Sequence, residues 1–459
     1  MYEKDTIIAP ISSVSGGSVS LIRISGIDAI NISDVFFPTL DITEKKGGTF
    51  YFTKFISNRS DIVDEVMVYV FKGPKSYTGE DVIEISCHGN VFIVEEILQN
   101  YLSAGCRIAK PGEFSQRAFL NGKMDLTQAE AVADIIASKS KSAVKNSLQA
   151  LEGKLSEKVS SLKQYLIDIG SLLELGLDFS EEDIEIVSNE QLKTTLIKTL
   201  SEITILLNSF SNSRQFQKGI EVLIAGKPNV GKSSLMNALL EKDRVIVSHI
   251  PGTTRDHIHE DIIIDDTLIR LIDTAGIRFT KDQIEAEGVN KTKRFLNTAD
   301  IILAIFDISK EIENDDEEII NHITKEMKDR AIFVGNKNDK KTNEETVETL
   351  KKYSDIMVSV SAKNDNNIDE LRKIIASHIT KENNHDPEHI VISNERHFNI
   401  LNTVKNQIST TIDSFDNEPG HEFIAMDIRA AINTLSEITG EITTDDILNN
   451  IFSNFCIGK

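Results

Sequence analysis

The feature that most constrains the fold of this chain is the segment Gly226-Lys-Pro-Asn-Val-Gly231-Lys232-Ser233, which fits the pattern G-x-x-x-x-G-K-[ST]. It follows an apolar run, Glu221 to Gly226, that predicts a strand, and the residues after it predict a helix. In that context the glycines let backbone N–H groups converge on a phosphate, Lys232 places a positive charge beside it, and Ser233 is a ligand for Mg²⁺. The segment therefore predicts a nucleotide-binding domain of the α/β class.

Two further motifs indicate that the base of the nucleotide is guanine. Asn336-Lys337-Asn338-Asp339 follows the predicted strand Ala331 to Val334, and Ser361-Ala362-Lys363 ends the predicted strand Met357 to Val360. The carboxylate of Asp339 offers two acceptors for the N1–H and the exocyclic amine of guanine, a donor pair that adenine lacks. The chain is therefore predicted to bind GTP and GDP.

Two segments between these motifs predict the groups that sense the γ-phosphate. Asp273-Thr274-Ala275-Gly276 ends another predicted strand, where Asp273 reaches Mg²⁺ indirectly and the Gly276 N–H faces the γ-phosphate. Gly252-Thr253-Thr254-Arg255-Asp256 supplies a switch threonine, so Ser233 and Thr254 are the predicted Mg²⁺ ligands. The full set of predicted GTP-binding residues is Asn229, Val230, Gly231, Lys232, Ser233, Ser234, Ser248, His249, Ile250, Pro251, Gly252, Thr253, Thr254, Asp273, Thr274, Ala275, Gly276, Asn336, Lys337, Asp339, Ser361, Ala362 and Lys363.

Hydrolysis of GTP requires a device other than the glutamine that Ras-type GTPases use, because the residue after Gly276 is Ile277, whose side chain forms no hydrogen bonds. One predicted device is a K⁺ ion near the phosphates. The other is Glu285, predicted as the catalytic group that orients water, with a solvated acidic residue as the alternative interpretation. The predicted K⁺ ligands are Asn229, Ser248, Ile250 and Thr253.

Helical patterns flank this nucleotide-binding region on both sides. No proline lies between Pro111 and Pro228, and a second helical stretch follows the polar linker from Lys381 to Pro387. Before residue 118, apolar runs such as Val66 to Phe71 predict a compact α+β domain. The helical stripe after Pro111 consists of Leu151, Leu155, Val159, Leu162, Leu166, Ile169 and Leu173, at spacings of three and four. The predicted domains are 1–118 (α+β), 119–216 (helical), 217–379 (α/β, a parallel-rich sheet with flanking helices) and 380–459 (helical).

The charge balance limits how the chain can contact nucleic acid. Its 50 Lys and Arg residues face 72 acidic residues, a formal charge of −22, which argues against a protein that coats nucleic acid through general positive charge. Any RNA contact requires a local patch. The region from Ala104 to Lys154, with eight basic and five acidic residues, is one candidate, and a solvated helix face is the alternative.

Membrane and disulfide classes are also disfavoured. No window approaches the roughly 18 consecutive apolar residues of a membrane span, and the first ten residues lack the basic start of a signal peptide. We therefore expect a cytoplasmic protein without a membrane partner. Cys87, Cys106 and Cys456 are too few and too scattered for a disulfide framework or a metal knuckle, so we interpret them as reduced thiols.

Segments outside the nucleotide-binding region extend a family resemblance over essentially the whole chain. They include Leu21-Ile-Arg23-Ile-Ser-Gly26, Tyr77-Thr-Gly-Glu80-Asp81, Arg117-Ala-Phe-Leu-Asn-Gly-Lys123 and Phe455-Cys456-Ile457-Gly458-Lys459. With the motifs above, they resemble the MnmE family, also called TrmE, whose members are GTPases of tRNA wobble-uridine modification. The last segment is absent from generic Era-like GTPases.

The resemblance implies a multidomain α+β and α/β protein. Its amino-terminal domain would dimerise and bind a tetrahydrofolate derivative (methylene- or formyl-tetrahydrofolate), and its Ras-like GTPase domain would be inserted into a helical domain. Arg23, Glu80, Lys123 and Lys459 match the folate-contacting positions. The resemblance also implies a homodimer acting with MnmG, a flavoprotein that brings FAD and NADH. Together they would add a carboxymethylaminomethyl or aminomethyl group to carbon 5 of the wobble uridine of certain tRNAs.

Two loops depart from the family pattern. Ser13-Val-Ser-Gly-Gly17 stands where the family has Pro-Pro-Gly-x-Gly-Gly, and His88-Gly-Asn90 stands where it has His-Gly-Gly, so we expect the local loop geometry to differ. Cys456 has two open interpretations, a nucleophile toward carbon 6 of the uridine or a small packed hydrophobe.

Two other functional classes are alternatives to a tRNA-modifying GTPase. An RNA-binding switch of the Era or Der type would have a KH-like module with a G-x-x-G loop, which the carboxy-terminal stretch lacks. A dynamin-like scaffold would need a basic amphipathic helix or a lipid anchor, and neither is evident in the sequence.

Overall fold

The computed structural model describes residues 5–13, 17–178, 188–243, 259–273, 299–382, 390–415, 420–453, 455 and 458. The chain forms two compact units. The first contains Met1–Ala137, Ser147–Ile203 and Asn399–Lys459, and the second contains Ser138–Asn146 and Thr204–Phe398. Among the described residues, no helix combines the length and the hydropathy needed to cross a membrane.

Strands and helices occur together in 5–108 and 220–382, whereas the described residues of 113–218 and 390–453 contain helices but no strand. The strands are β1 (Ile7–Pro10), β2 (Val19–Ser25), β3 (Thr49–Ile56), β4 (Ile62–Phe71), β5 (Val82–His88), β6 (Arg107–Ile108), β7 (Ile220–Ala225), β8 (His259–Ile264), β9 (Thr267–Asp273), β10 (Ile301–Asp307), β11 (Ala331–Asn336) and β12 (Met357–Ser359). The helices are α1 (Ala29–Asp34), α2 (Val91–Ser103), α3 (Glu113–Leu120), α4 (Leu126–Ala137), α5 (Lys141–Leu151), α6 (Lys154–Asp178), α7 (Asn189–Lys218), α8 (Lys232–Asp243), α9 (Asn314–Glu326), α10 (Glu344–Tyr353), α11 (Ile368–Glu382), α12 (Glu395–Ser414), α13 (His421–Thr439) and α14 (Asp445–Ser453).

The sheet of the first unit has the strand order β3-β4-β5-β2-β1-β6. β1 and β6 pair in parallel, and the other neighbours are antiparallel. One face of the sheet packs on α1 and α2 around an aromatic cluster, in which the Phe36 ring lies 5.1 Å from that of Phe55 and 4.8 Å from that of Tyr101. The amino-terminal region is therefore α+β, as predicted.

The predicted helical stripe is confirmed for α6 and wrong at its first member. Leu155, Val159 and Leu162 and the three apolar residues that continue the stripe are all buried on α6, which packs along α13. Leu151 is half-buried and is the last residue of α5, because a turn at Glu152 and Gly153 interrupts the helix before α6 begins. A turn with a glycine at φ +90° therefore separates α5 from α6 within the predicted stripe.

The carboxy-terminal helix α14 packs on α3 and α4. Leu448, Phe452 and Phe455 form an apolar cluster with Leu126 and Ala129 of α4. Gly112, just before α3, has a φ of +67°, and a Cβ there would lie 2.6 Å from the carbonyl oxygen of Phe452. This close approach fixes the end of α14 against the amino-terminal region.

The sheet of the second unit has the order β12-β11-β10-β7-β9-β8, with all neighbours parallel except the β8–β9 hairpin. Helices α8 and α11 share an apolar cluster on one face, and α9 and α10 share another on the other face. The predicted α/β class with a parallel-rich sheet is confirmed. The polar linker begins later than predicted, because α11 continues through Lys381 to Glu382.

Ser138–Asn146, which include the start of α5, pack on the β8–β9 hairpin within the second unit. The Lys139 ammonium lies 2.8 Å from an oxygen of Asp261, and the Ser142 hydroxyl donates to the carbonyl oxygen of Asp266 at 3.0 Å. Asp266 and the preceding Asp265 form the hairpin turn with φ values of +60° and +46°. These contacts explain why residues 138–146 cluster with the second unit.

Candidate functional site

The phosphate-binding loop connects β7 to α8 in the way that the motif predicts. Gly226 has a φ of +155°, and a Cβ there would lie 2.6 Å from the Ile305 carbonyl oxygen. Gly231 has a φ of +103°, and a Cβ there would lie 2.2 Å from Nδ2 of Asn336. Both positions therefore require glycine. The loop ends at the N-terminus of α8, where backbone N–H groups favour an anion.

The loop lysine is fixed by main-chain atoms. The Lys232 ammonium donates to the carbonyl oxygens of Gly226 at 2.8 Å and Lys227 at 3.0 Å, and the residue is 9% exposed. Ser233 and Ser234 follow it on the first turn of α8 and are exposed. A cation beside a helix N-terminus, followed by an accessible hydroxyl, suits a phosphate with its Mg²⁺ ion.

The predicted base-binding motif is joined to this loop. The buried amide of Asn336 donates to the Val230 carbonyl oxygen at 2.8 Å and accepts from the N–H groups of Lys337 and Ala362. The Lys337 ammonium donates to the Asn229 carbonyl oxygen at 2.8 Å. Three other predicted nucleotide-binding residues thus bond the Asn336 amide, and Asn229 is joined to them through Lys337.

The carboxylate predicted to read guanine, Asp339, is oriented by the last of the motifs. The fully buried Ser361 donates from its hydroxyl to Oδ1 of Asp339 at 2.7 Å. This hydrogen bond lowers the pKa of the Asp339 carboxyl below its ordinary value. Asp339 is therefore an ionised acceptor at neutral pH, as recognition of the guanine edge requires.

Sequence reasoning missed two acidic residues that support this site. Asp307, at the end of β10, lies 2.7 Å from the Lys337 ammonium. Burial alone would raise its pKa, but the hydrogen bonds from Lys337 and Ser309 outweigh burial and lower it. Asp316 at the start of α9 bonds the Lys227 ammonium. An acidic residue at the end of a fully apolar strand was the available signal for Asp307.

Several predicted residues lie outside the described part of the chain. These are Ser248, His249, Ile250, Pro251, Gly252, Thr253, Thr254, Thr274, Ala275, Gly276, Glu285, Cys456 and Lys459. Asp273 is the last residue of β9 and pairs in register with Ile224 of the neighbouring strand β7.

The predicted folate contact Arg23 lies on β2 in the first unit. Its Nε donates to Oε1 of Glu84, its partner in register on β5, at 2.7 Å. Its guanidinium carbon lies 4.6 Å from the Tyr77 ring centre and 5.4 Å from that of Phe114. Two aromatic rings and a carboxylate therefore fix this cation.

Tyr77 belongs to the loop of residues 72–81 between β4 and β5, and two other predicted folate contacts lie in or beside this loop. Glu80 belongs to the loop, and its carboxylate accepts from the Ser25 hydroxyl at 2.7 Å and from the Arg117 guanidinium at 3.2 Å. The Lys123 ammonium donates to the Pro74 carbonyl oxygen at 2.9 Å. One side of the loop borders a cavity of about 250 Å³ lined by Phe71, Lys75, Ser76, Tyr77, Val82 and Glu84.

Comparison with known proteins places these sites in one family. The family described as "MnmE helical domain" matches residues 126–456, and the one described as "GTP-binding protein TrmE N-terminus" matches residues 6–123. A protein of Cytophaga hutchinsonii named "tRNA modification GTPase MnmE" is 41% identical over 459 residues, which covers 99% of this chain and 98% of that protein. The chain belongs to the MnmE family. Its relative of the same name in Carboxydothermus hydrogenoformans is 39% identical over 462 residues, with 99% and 100% coverage.

A solved structure is similar to a smaller part of this MnmE-family chain. It is a crystal structure of an Era variant of Aquifex aeolicus bound to GDP and AlF₄⁻, with 31% sequence identity. The match covers 41% of this chain and 66% of that one, with a TM-score of 0.30. With the motif geometry described above, membership of the MnmE family identifies the chain as a GTPase.

The basic region from Ala104 to Lys154 is partly neutralised in this member of the MnmE family. Arg107 lies 2.7 Å from an oxygen of Asp5 and 2.7 Å from one of Glu113, and Arg117 also contacts both of these carboxylates. Lys139 and Lys141 lie within 2.9 Å of acidic residues of the β8–β9 hairpin. Half of its eight basic residues are thus paired with carboxylates, so they contribute little free positive charge to an RNA surface.

Cys87 and Cys106 are buried free thiols. Burial raises the pKa of Cys87 to about 11 and that of Cys106 to about 12. Neither thiol is therefore an activated nucleophile.

Proposed function

We propose that this protein acts with the flavoprotein MnmG to build the carboxymethylaminomethyl or aminomethyl group on carbon 5 of the wobble uridine in certain tRNAs. The protein binds a tetrahydrofolate derivative, methylene- or formyl-tetrahydrofolate, and hydrolyses GTP, while FAD and NADH act through MnmG. The observation that carries the proposal is the convergence of Arg23, Glu80 and Lys123 around one loop in a member of the MnmE family.

The side chains around this loop suit a folate. The Glu80 carboxylate matches the amine and ring N–H of the pterin, and the Arg23 and Lys123 cations match the glutamate tail or carbonyl groups. When bound, the folate supplies the one-carbon unit. The Tyr77 ring, which lines the cavity beside the loop, adds apolar surface for the flat rings of the folate.

The carboxy-terminal motif supports the same site. A Cβ at Gly458 would lie 2.3 Å from the carbonyl oxygen of Pro10, so this residue lies directly against the end of β1. Ala9, the neighbour of Pro10, pairs in register with Arg23. Lys459 is the next residue in the sequence, and we propose that it joins Arg23 in binding the folate.

The nucleotide site performs the GTP switch. Lys232 binds the β- and γ-phosphate oxygens, and Ser233 and Thr254 bind Mg²⁺. Asn229, Ser248, Ile250 and Thr253 would hold K⁺, which would stabilise the charge that develops between the phosphates, so hydrolysis should be faster in K⁺ than in Na⁺ at equal ionic strength. Glu285 orients the water, so Glu285→Ala lowers kcat by about 10²-fold with little change in GTP affinity.

A homodimer fits the exposed edge of the amino-terminal sheet. β3 is the outer strand, and its Phe50 and Phe52 side chains are 64% and 68% exposed. A second copy of the chain would cover these rings and the unpaired edge. Sedimentation of the purified protein with and without Phe50→Ser and Phe52→Ser tests this assembly. We place the protein in the cytoplasm, where it meets its tRNA substrate.

Nucleoside mass spectrometry provides the direct test of the proposed function. A strain that lacks this protein should lose the 5-substituted wobble uridines, and the wild-type gene on a plasmid should restore them. The Arg23→Ala variant should fail to restore them while its GTP hydrolysis stays measurable. Unaltered wobble uridines in the deletion strain would refute the proposed function.

A further inference from the structure

Arg117 lies at the centre of a cluster of charged side chains that the GTPase machinery does not use. Its side chain is 1% exposed. One terminal nitrogen donates to Asp5 Oδ1 at 2.5 Å and to Glu113 Oε1 at 3.0 Å. The other donates to the Asp5 carbonyl oxygen at 2.8 Å and lies 3.2 Å from both carboxylate oxygens of Glu80. Burial of a guanidinium is unfavourable unless it is paired in this way.

The arrangement connects Glu80 to a rigid part of the fold. Arg117 projects from α3, which the Tyr77–Ser115 hydrogen bond of 2.9 Å also ties to the loop. One guanidinium nitrogen is equidistant from both oxygens of the Glu80 carboxylate and so restrains both of them. The hydroxyl of the buried Ser25 fixes one of the same oxygens from β2. A loop carboxylate is thus oriented from a helix and a strand.

Arg107 provides a natural contrast within the same cluster. It bonds Asp5 and Glu113, as Arg117 does, and its remaining described hydrogen bond goes to the Ile108 carbonyl oxygen. Among the described contacts, Arg117 is the member of this pair that reaches Glu80. Loss of either arginine disturbs the cluster, but among the described contacts only loss of Arg117 removes the guanidinium from the Glu80 carboxylate.

We propose that Arg117 is a positioning residue of the folate site. It fixes both oxygens of Glu80 so that they accept the paired N–H groups of the pterin, without touching the ligand itself. This inference rests on the folate-binding function proposed above. Because Arg117 orients the Glu80 carboxylate in advance, folate binding does not have to include the entropic cost of ordering that carboxylate. Loss of Arg117 therefore weakens folate binding.

The test is calorimetric titration of the full-length protein with 5-formyltetrahydrofolate. We expect Arg117→Met to weaken binding about tenfold or more and Arg107→Met, the matched control, to weaken it less than about threefold. Arg117→Lys keeps the positive charge without the planar guanidinium, so its loss of folate affinity should lie between those of the two Met variants. Arg117→Lys replaces Arg117→Met in the test if the Met variant does not fold. GTP hydrolysis and thermal unfolding of each variant report whether the chain is folded.

A double-mutant cycle with Glu80→Gln separates positioning from a structural role. If Arg117 acts through Glu80, Arg117→Met adds less than about threefold to the loss already caused by Glu80→Gln. Additive losses, equal losses in Arg107→Met and Arg117→Met, or wild-type affinity in Arg117→Met would each overturn the inference. Absence of folate binding by the wild-type protein would instead overturn the proposed function, and the inference with it.

Discussion

This protein positions its side chains by different means around the nucleotide motifs (the nucleotide region) and around the proposed folate contacts (the folate region). In the nucleotide region, main-chain atoms fix the loop lysine, since the Lys232 ammonium donates to two carbonyl oxygens of its own loop. In the folate region, charged side chains fix one another, as in the Arg23–Glu84 and Arg117–Glu80 pairs. A short motif can therefore specify a site built on local backbone, whereas a site built on pairs of side chains depends on the whole sheet.

The same comparison predicts that the two activities can be separated. Deleting Cys456 to Lys459 should abolish wobble-uridine modification, because Gly458 lies against β1 beside the proposed folate contacts. GTP hydrolysis should persist, since every nucleotide-binding motif lies before residue 364. Nucleoside mass spectrometry and a phosphate-release assay measure the two outcomes. Normal modified-uridine levels in the truncated protein would exclude a role for the tail.

A point substitution then distinguishes the roles of the deleted residues. Cys456→Ala should keep partial modification if the thiol only packs, and should lose all of it if the thiol attacks the uridine. Packing is the expected outcome, and complete loss with intact GTP hydrolysis would contradict it.

Two lysines of the phosphate-binding loop sharpen the comparison within one site. Lys232→Met should weaken GDP binding by about 10²-fold or more, because it removes the cation that contacts the phosphates. Lys227→Met is the matched control, since the Lys227 ammonium bonds Asp316 and Glu313 at the start of α9. We expect it to change affinity less than about threefold. Fluorescent-nucleotide titration measures both, and equal losses would show that the paired lysine also contacts the nucleotide.

The base-binding carboxylate gives a smaller but more specific effect. Asp339→Asn exchanges an acceptor for a donor, so affinity should shift from GTP toward XTP, with a loss of GTP affinity of at least about tenfold. Asp365→Asn, an exposed carboxylate in the loop after Ser361, should leave selectivity unchanged. Competition between the two nucleotides measures the shift. Retained guanine selectivity would remove Asp339 from recognition of the base.

The two regions also differ in how far sequence reasoning reached. The spacing of Gly226, Gly231 and Lys232 predicted the loop and helix that the structure contains, because neighbouring residues and the backbone determine that geometry. The Arg117–Asp5 pair joins residues 112 apart in sequence, and the Arg23–Glu84 pair joins residues 61 apart. No local pattern specifies such pairs, since strand order and register decide which residues meet.

The family resemblance supplied what local chemistry did not. It identified Arg23, Glu80 and Lys123 as one set, whereas each taken alone had the pattern of an ordinary surface charge. It did not identify Arg117 or Glu84, which position members of that set. The turn at Glu152 and Gly153 was missed for a related reason, because the apolar spacing continues across it.

The smallest expected effect concerns the stability of the folate-region charge cluster. Burial alone would raise the pKa of Glu113, but hydrogen bonds from Arg107, the Lys110 N–H and Arg117 outweigh burial and lower it. A carboxyl whose pKa is lowered in the folded state stabilises the fold at pH values above the pKa of the unfolded glutamate, about 4.3. This contribution is lost as the pH falls through the lower pKa of the folded state. Glu113→Gln should therefore lower the apparent Tm by about 2–4 °C at pH 7 and by less near pH 3. Circular dichroism melts measure this difference, with the exposed Glu65→Gln as a control that should shift neither value. A Tm difference that is the same at both pH values would show that the ionised form of Glu113 contributes nothing to stability.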